Sequence, residues 1–294
     1  MLVPNTRLAK QVALFKRMGM FALNDTSVLV RRAITVDDLE AAYRLVHDVF
    51  VEKGYIARSP RGARVRLFET FPEMATFVCQ IGRDIAAVMS IVPDSPDAGL
   101  PSDQGFRAEI DSLRRAGRRV CEITNLAVRN EYRRSNAFPE LTRACFAHAR
   151  IMGCDDIFIA ISPGHGPFFE DVLRFDAFGD KRNYSAEKED PVEGKRMDLH
   201  GIEQRWLEAD RALGDAAFLH NYYFQSNPFN DCVRPWATLA AGTFRNAGLL
   251  HELFVERTGA LAQFGEEGRQ AVARRWGDAV LAQVLYQTAE MAVA

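Results

Sequence analysis

The 294-residue chain lacks the features that would tie it to a membrane span, a disulfide scaffold or a disordered tail. No apolar run approaches the roughly 20 residues needed to cross a bilayer. Charge of one sign is not in excess either: 37 Lys and Arg against 39 Asp and Glu leave a net −2, which argues against a strongly basic nucleic-acid scaffold. Cysteines are few and scattered. Cys79, Cys121, Cys145, Cys154 and Cys232 form an odd set without a close pair, which argues against a disulfide framework and for a reducing, cytoplasmic setting. Cys145, His148 and Cys154 do not amount to a zinc site, because the first two are helix neighbours and no fourth ligand lies nearby; no metal is expected. Internal repeats and low-complexity tracts are also missing. With 48% hydrophobic and 26% charged residues, what is present is a soluble globular chain with enough length for one large domain or two small ones.

Charge is unevenly placed. Residues 1–24 hold Arg7, Lys10, Lys16 and Arg17 and no acid, so this segment is +4 and the rest of the chain −6. Lys16-Arg17 interrupts the apolar stretch that begins at Val12, which excludes a secretory signal. Leu8, Val12, Phe15 and Met18 follow helical spacing and predict a basic amphipathic helix, broken at Asp25-Thr26-Ser27. Two readings are open: a helix docked on the main domain, or an arm (residues 1–26) touching a membrane surface or a partner.

From Ser27 short β-rich runs alternate with amphipathic helices. Strands are expected at 27–31, 76–81, 85–92, 119–129, 156–161, 178–184 and 195–199; Gly82-Arg83-Asp84 is a hairpin turn. Helices are expected from Thr35 to about Glu52, at 106–115, 139–152 and 167–175. After residue 200 the periodicity is helical throughout, over 202–224, 234–257 and 269–291, with breaks at Asn227-Pro228 and Gly265. The fold class is α/β (α+β): a catalytic unit over 27–200 followed by a helical extension over 201–294.

The element order, with a strand leading into a helix through Glu131-Tyr132-Arg133-Arg134, resembles the GNAT acyltransferase superfamily. The stretch Tyr43 to Tyr55, then Asp94-Ser95, Gly99-Leu100-Pro101, Phe106, Glu109, Leu113-Arg114, Glu122 to Val128 and Pro163-Gly164-His165, is more specifically similar to the N-acyl amino acid synthase (FeeM-type) family, related to autoinducer synthases. The resemblance covers residues 27–200 and implies a mixed central sheet flanked by helices. It also implies an enzyme that moves a long acyl chain from acyl-acyl carrier protein to the α-amino group of an amino acid. No bound cofactor is implied, the acyl donor being carried on phosphopantetheine.

Two departures from neighbouring families sharpen this. GNAT enzymes that use coenzyme A cradle its pyrophosphate in a glycine-containing loop at a helix start, where backbone N–H groups approach phosphate closely. Here that stretch is Arg133-Arg134-Ser135-Asn136-Ala137-Phe138, with both glycine positions filled, which favours a carrier-bound donor. Autoinducer synthases have an arginine where this chain has Asn125, and an acidic cluster where it has Arg58, Arg61, Arg64 and Arg66. A free amino acid, whose carboxylate an arginine can hold, suits the region better.

Acyl transfer to an amine needs a base, donors for the developing oxyanion and a route for the thiol proton. Glu122 lies on the strand that reads as central, where a carboxylate is costly unless paired or functional; it is either the base or a structural ion-pair partner. His165, in a Pro-Gly-His-Gly-Pro turn at a strand end, matches the family's histidine and suits proton handling, or is a turn residue without chemistry. Backbone N–H groups at Leu126, Ala127 and Val128 are the expected oxyanion donors, with Arg133 and Arg134 near the donor phosphate. Asn125 and Tyr55 are assigned to the acceptor or acyl pocket, and Phe168 and Phe169 either line an acyl tunnel or pack the core. Arg114, Arg115, Arg118 and Arg119 just before the central strand, with Arg129, Arg133 and Arg134 just after it, are either the docking surface and phosphate anchor for an acidic carrier protein or a solvated charge run. The rivals are an acyl-homoserine-lactone-type synthase, a coenzyme A-dependent acetyltransferase, and a non-catalytic lipid- or partner-binding protein.

Overall fold

The computed structural model describes residues 6–185 and 188–291; the first five residues of the expected arm lie outside them. In chain order the elements are α1 (Thr6–Arg17), β1 (Val28–Arg32), α2 (Val36–Glu52), β2 (Ala75–Ile81), β3 (Asp84–Pro93), α3 (Asp103–Arg115), β4 (Val120–Val128), α4 (Ala137–Ile151), β5 (Asp156–Ile161), α5 (Gly166–Asp171), β6 (Asp176–Ala177), β7 (Arg182–Ser185), β8 (Lys188–Asp198), α6 (Ile202–Leu213), α7 (Val233–Thr243), α8 (Ala247–His251), α9 (Glu266–Trp276) and α10 (Asp278–Met291).

The strands form one sheet in the order β1-β2-β3-β4-β5-β8-β6, with β7 paired to β8. All neighbours are antiparallel except β4 and β5. Alternation along the strands divides the core between two faces. Phe77 and Cys79 on β2, and Ala87 and Met89 on β3, face a layer built by α1, α4, α5 and α6. The intervening Val78 and Val88 face α2, α8 and α9, where Tyr43, Leu250, Phe254 and Trp276 are buried. The third helix, α3, seats Phe106, Ile110 and Leu113 beside Val120 and Phe158.

Local chemistry accounts for most element boundaries. The Thr35 side chain accepts the Asp38 N–H at the start of α2, with Asp37 and Asp38 in the first turn where the helix dipole favours negative charge. Of the strand expected at 178–184 only its last part forms, as β7, with the two-residue β6 ahead of it; between them the chain bends at Gly179 (φ 127°), where a Cβ would meet the Phe106 ring at 2.7 Å. The expected helix at 269–291 breaks at Gly277 (φ 86°) into α9 and α10. Segments 202–224 and 234–257 are likewise shorter helices joined by turns and π-helical pieces at 221–225 and 252–257.

Of the two readings of the N-terminal helix, the structure shows docking on the domain. Leu8 and Val12 are buried in the same cluster as Trp206 and Phe169, and Arg7 pairs with Asp171. The apolar face that a membrane would take is therefore occupied. No helix among the described residues is long and apolar enough to cross a membrane.

Candidate active site

The parallel pair β4 and β5 is joined only over Val120 to Glu122 against Asp156 to Phe158. Beyond Glu122 the strands part, and a cavity of about 280 Å³ occupies the gap. On its other edge β4 carries a bulge: Ser90 opposes Thr124 and Val88 opposes Ala127, leaving Asn125 and Leu126 against Met89 alone. Asn125 takes a left-handed backbone (φ 54°), which asparagine tolerates better than most side chains.

One end of the cavity is polar, lined by Tyr55, Arg64, Arg66, Glu122, Asn125 and His165. Glu122 is 2% exposed. Its two oxygens accept the backbone N–H and the hydroxyl of Ser102, each at 2.8 Å. Ser102 occupies the first position ahead of α3 without bonding the helix through its side chain, so the carboxylate it meets lies at the positive end of that helix. Burial pushes Glu122 up to about 7, against the Ser102 hydrogen bonds and the nearby Arg66, which favour the charged form. A carboxyl group in that range can both take up and release a proton near neutral pH.

Next to it, Glu69 is buried beneath two guanidiniums. Arg66 bonds Glu69 Oε1 at 2.8 Å and Asn125 Nδ2 donates to the same oxygen at 2.8 Å. Arg64 donates to Asn125 Oδ1 at 2.7 Å. Burial disfavours charge on Glu69, but Arg66 and Arg64 together with the hydrogen bonds hold it down at about 2. The bulge thus turns Asn125 into the link between β4 and the arginine loop. That loop is itself anchored, with Ser59 N–H donating to the buried His47 at 3.0 Å and Arg64 N–H to Tyr43 O at 3.1 Å. Tyr55 and Ser162 hydroxyls meet at 3.1 Å across the two sides of the mouth. His165 follows the end of β5 and is exposed at that mouth. Partial burial, and then Lys53 and Arg133, lower its pKa, so the ring is neutral at pH 7.

The other end is apolar, lined by residues such as Met89, Phe146, Ile159, Phe169, Trp206 and Tyr223. The cavity is therefore a slot with ionisable groups at one end and hydrocarbon-lined depth at the other.

Glu122, His165, Asn125, Tyr55, Leu126 and Phe169 are thus brought to one cavity, but other expected residues are not. Phe168 turns away and packs on Phe15, Phe21 and Phe138, so of the two phenylalanines only Phe169 is a wall. Arg129 N–H bonds Ala86 O at 3.0 Å; by strand alternation the Ala127 N–H also faces β3, while that of Val128 faces the gap. Arg133 and Arg134 are exposed on the β4–α4 connection, Arg133 close enough to His165 to act on it.

The cluster Arg114, Arg115, Arg118 and Arg119 precedes β4, whereas His165 and Arg133 follow the C-terminal ends of the parallel strands β5 and β4, so the two groups lie at opposite ends of that pair. Arg114 is held by Asp94, Asp103 and Asp111 and Arg118 by Asp156 and Asp198. A structural ion-pair role fits Arg114 and Arg118, and Arg119 pairs more loosely with Asp155 at 3.7 Å, while Arg115 is exposed. Among the described residues no group of three or more His, Cys, Asp or Glu side chains is arranged to hold a metal ion.

Sequence reasoning missed Ser102, Thr142, Trp206 and Tyr223. A serine ahead of a predicted helix signals a cap, but nothing local says that it faces Glu122. The last two belong to the extension, whose motifs carried no functional signal.

A family model described as the N-acyl amino acid synthase FeeM matches residues 41–197, just over half of the chain. Among solved structures, FeeM from uncultured soil microbes superposes with a TM-score of 0.53 at 22% identity, covering 60% of this chain and 93% of its own. A CoA-dependent acyl-homoserine lactone synthase, BjaI, gives 0.42 at 17% identity, covering 61% and 88%. An N-acetyltransferase from Staphylococcus aureus Mu50 gives 0.44 at 14%, covering 59% and 99%. No curated protein sequence matches the chain.

Proposed function

Because the chain belongs to the family of the N-acyl amino acid synthase FeeM and is an acyltransferase of the GNAT fold, we propose that it transfers a long acyl group from an acyl-carrier-protein thioester to the α-amino group of an amino acid. The observation that carries this reading is the single cavity joining a buried base and two arginines to an apolar slot. In this reading the amino acid carboxylate is held at Arg64 and Arg66, whose planar guanidiniums suit it, and its amine lies toward Glu122.

Glu122 takes a proton from the ammonium, and the freed nitrogen attacks the thioester carbonyl. The carbon–nitrogen bond forms as the carbonyl π electrons move onto oxygen; in this reading the Val128 N–H, which strand alternation turns toward the gap, donates to that oxygen. Collapse of the intermediate breaks the carbon–sulfur bond and expels the pantetheine thiolate. The nitrogen sheds two protons in all: the first, taken by Glu122, passes to the departing thiolate, and the second, released as the tetrahedral intermediate becomes an amide, is taken by the neutral His165 and passes to solvent. A thiol is acidic enough, near 8.5, for the thiolate's departure to need little help.

The donor end supports a carrier protein over free coenzyme A. The start of α4, where a pyrophosphate would need open backbone N–H groups, is crossed by the N-terminal segment: Asn136 donates to Ala22 O at 2.8 Å and accepts from Ala22 N–H at 3.2 Å. Exposed Lys53 and Arg133 lie close enough to His165 to act on it, with exposed Arg129 and Arg134 nearby in sequence on the β4–α4 connection, and an acidic carrier is proposed to dock on this side rather than on Arg114 to Arg119.

Purified protein incubated with acyl-carrier protein and a mixture of amino acids should yield an N-acyl amino acid by mass spectrometry, with a rate that falls as salt is raised. The same product from acyl-coenzyme A at equal efficiency would overturn the carrier assignment. Product on no amino acid with either donor would overturn the acceptor.

A further inference from the structure

We propose that the C-terminal extension sets the length of the acyl chain: Trp206 and Tyr223 are the floor of the slot. This rests on the slot being the acyl site. Both residues lie beyond the stretch matched by the family model, and both line the cavity while being essentially inaccessible to solvent. They stack on each other with ring centroids 4.3 Å apart and planes within 19°. Phe146 of α4 meets both rings edge-on, and Phe224 backs Trp206 at 5.6 Å. The Tyr223 hydroxyl is fixed to Thr142 Oγ1 at 2.9 Å, and Thr142 in turn donates to Pro139 O at 2.6 Å.

A hydrocarbon chain entering from the polar mouth passes between the diverging strands and meets this aromatic stack end-on. Interiors packed at this density do not yield to an extra pair of methylenes without moving side chains off their rotamers. A wall of two stacked rings braced by a third and a fourth is a stop, whereas a lone flexible side chain would be a variable one. Because α6 and the 221–225 segment supply the stop, the extension belongs to the site and not only to the outer shell.

The test is a length series. Free saturated fatty acids of increasing even length are titrated calorimetrically into the full chain, and the matching acyl-carrier thioesters are assayed for N-acyl product. The native chain should show a cut-off, with about a ten-fold loss at the first length beyond it. Trp206→Leu should move the cut-off to longer chains, and Thr142→Leu, which adds bulk to the cavity wall ahead of the floor, to shorter ones. If Trp206→Leu does not fold by circular dichroism, Thr142→Leu decides alone. An unmoved cut-off in a folded variant, or fatty-acid binding without dependence on length, overturns the proposal. Absence of N-acyl product from every donor while the binding cut-off still moves overturns the transferase reading and leaves the floor standing.

Discussion

At the scale of single residues, the site is governed by how burial and hydrogen bonding oppose each other on two carboxylates. Glu122 and Glu69 are both buried, yet one is raised to about 7 and the other lowered to about 2. The difference is the company: Glu69 lies under two guanidiniums, whereas Glu122 has two Ser102 hydrogen bonds and a more distant Arg66. The rate of transfer should therefore rise with pH through about 7 as Glu122 ionises. Glu122→Gln should lower turnover by about 100-fold or more while leaving stability at pH 8 equal or higher, since the ionised buried carboxylate no longer needs to be accommodated; chemical denaturation alongside product assay checks both. Ser102→Ala removes one hydrogen bond to the charged form, so the acidic limb of the pH–rate profile should move upward by about one unit. For Glu69 the sign is opposite. Its folded pKa is below the ordinary 4.5, so its stabilising contribution is full above 4.5 and is lost as pH falls toward 2; Glu69→Gln should flatten the acid branch of the stability curve.

At the scale of elements, the gap between β4 and β5 is what makes a site from an otherwise continuous sheet. Its position was legible in part. The run from Glu122 to Val128 reads as a central strand with one misplaced carboxylate, and the turn carrying His165 reads as a strand end. That the two strands separate after one hydrogen-bonded turn of the ladder, and that Asn125 occupies a bulge, depends on pairing partners more than 30 residues away and has no local signature. The N-terminal helix shows the same limit. Its amphipathic spacing predicts a helix, but burial of Leu8 and Val12 against α5 and α6 is what decides between a free arm and a docked one. Val12 is wholly buried, so Val12→Asp should destabilise the chain by about 3 kcal/mol or more, seen as a lower midpoint in urea; an arm free in solution would show no change.

At the scale of the molecule, the division into a catalytic unit and a helical appendix is a division of sequence and not of packing. Residues after 200 supply Trp206 and Tyr223 to one face of the sheet and Phe254 and Trp276 to the other. A chain ending at residue 200 would expose those apolar faces, and its expected fate is aggregation or a loosely packed state, measurable by gel filtration and dye binding. The sequence alone determined the strand and helix periods and the family motifs around Glu122 and His165, because each of these is written in residue types at short spacing. Only the tertiary structure decided that Ser102 and Arg66 flank Glu122, that Arg114 and Arg118 face carboxylates, and that Trp206 and Tyr223 of the extension line the same cavity as Glu122. Those relations join residues distant in the chain through burial and the alternation of strand faces, and spacing along a sequence carries no record of which distant surfaces will meet.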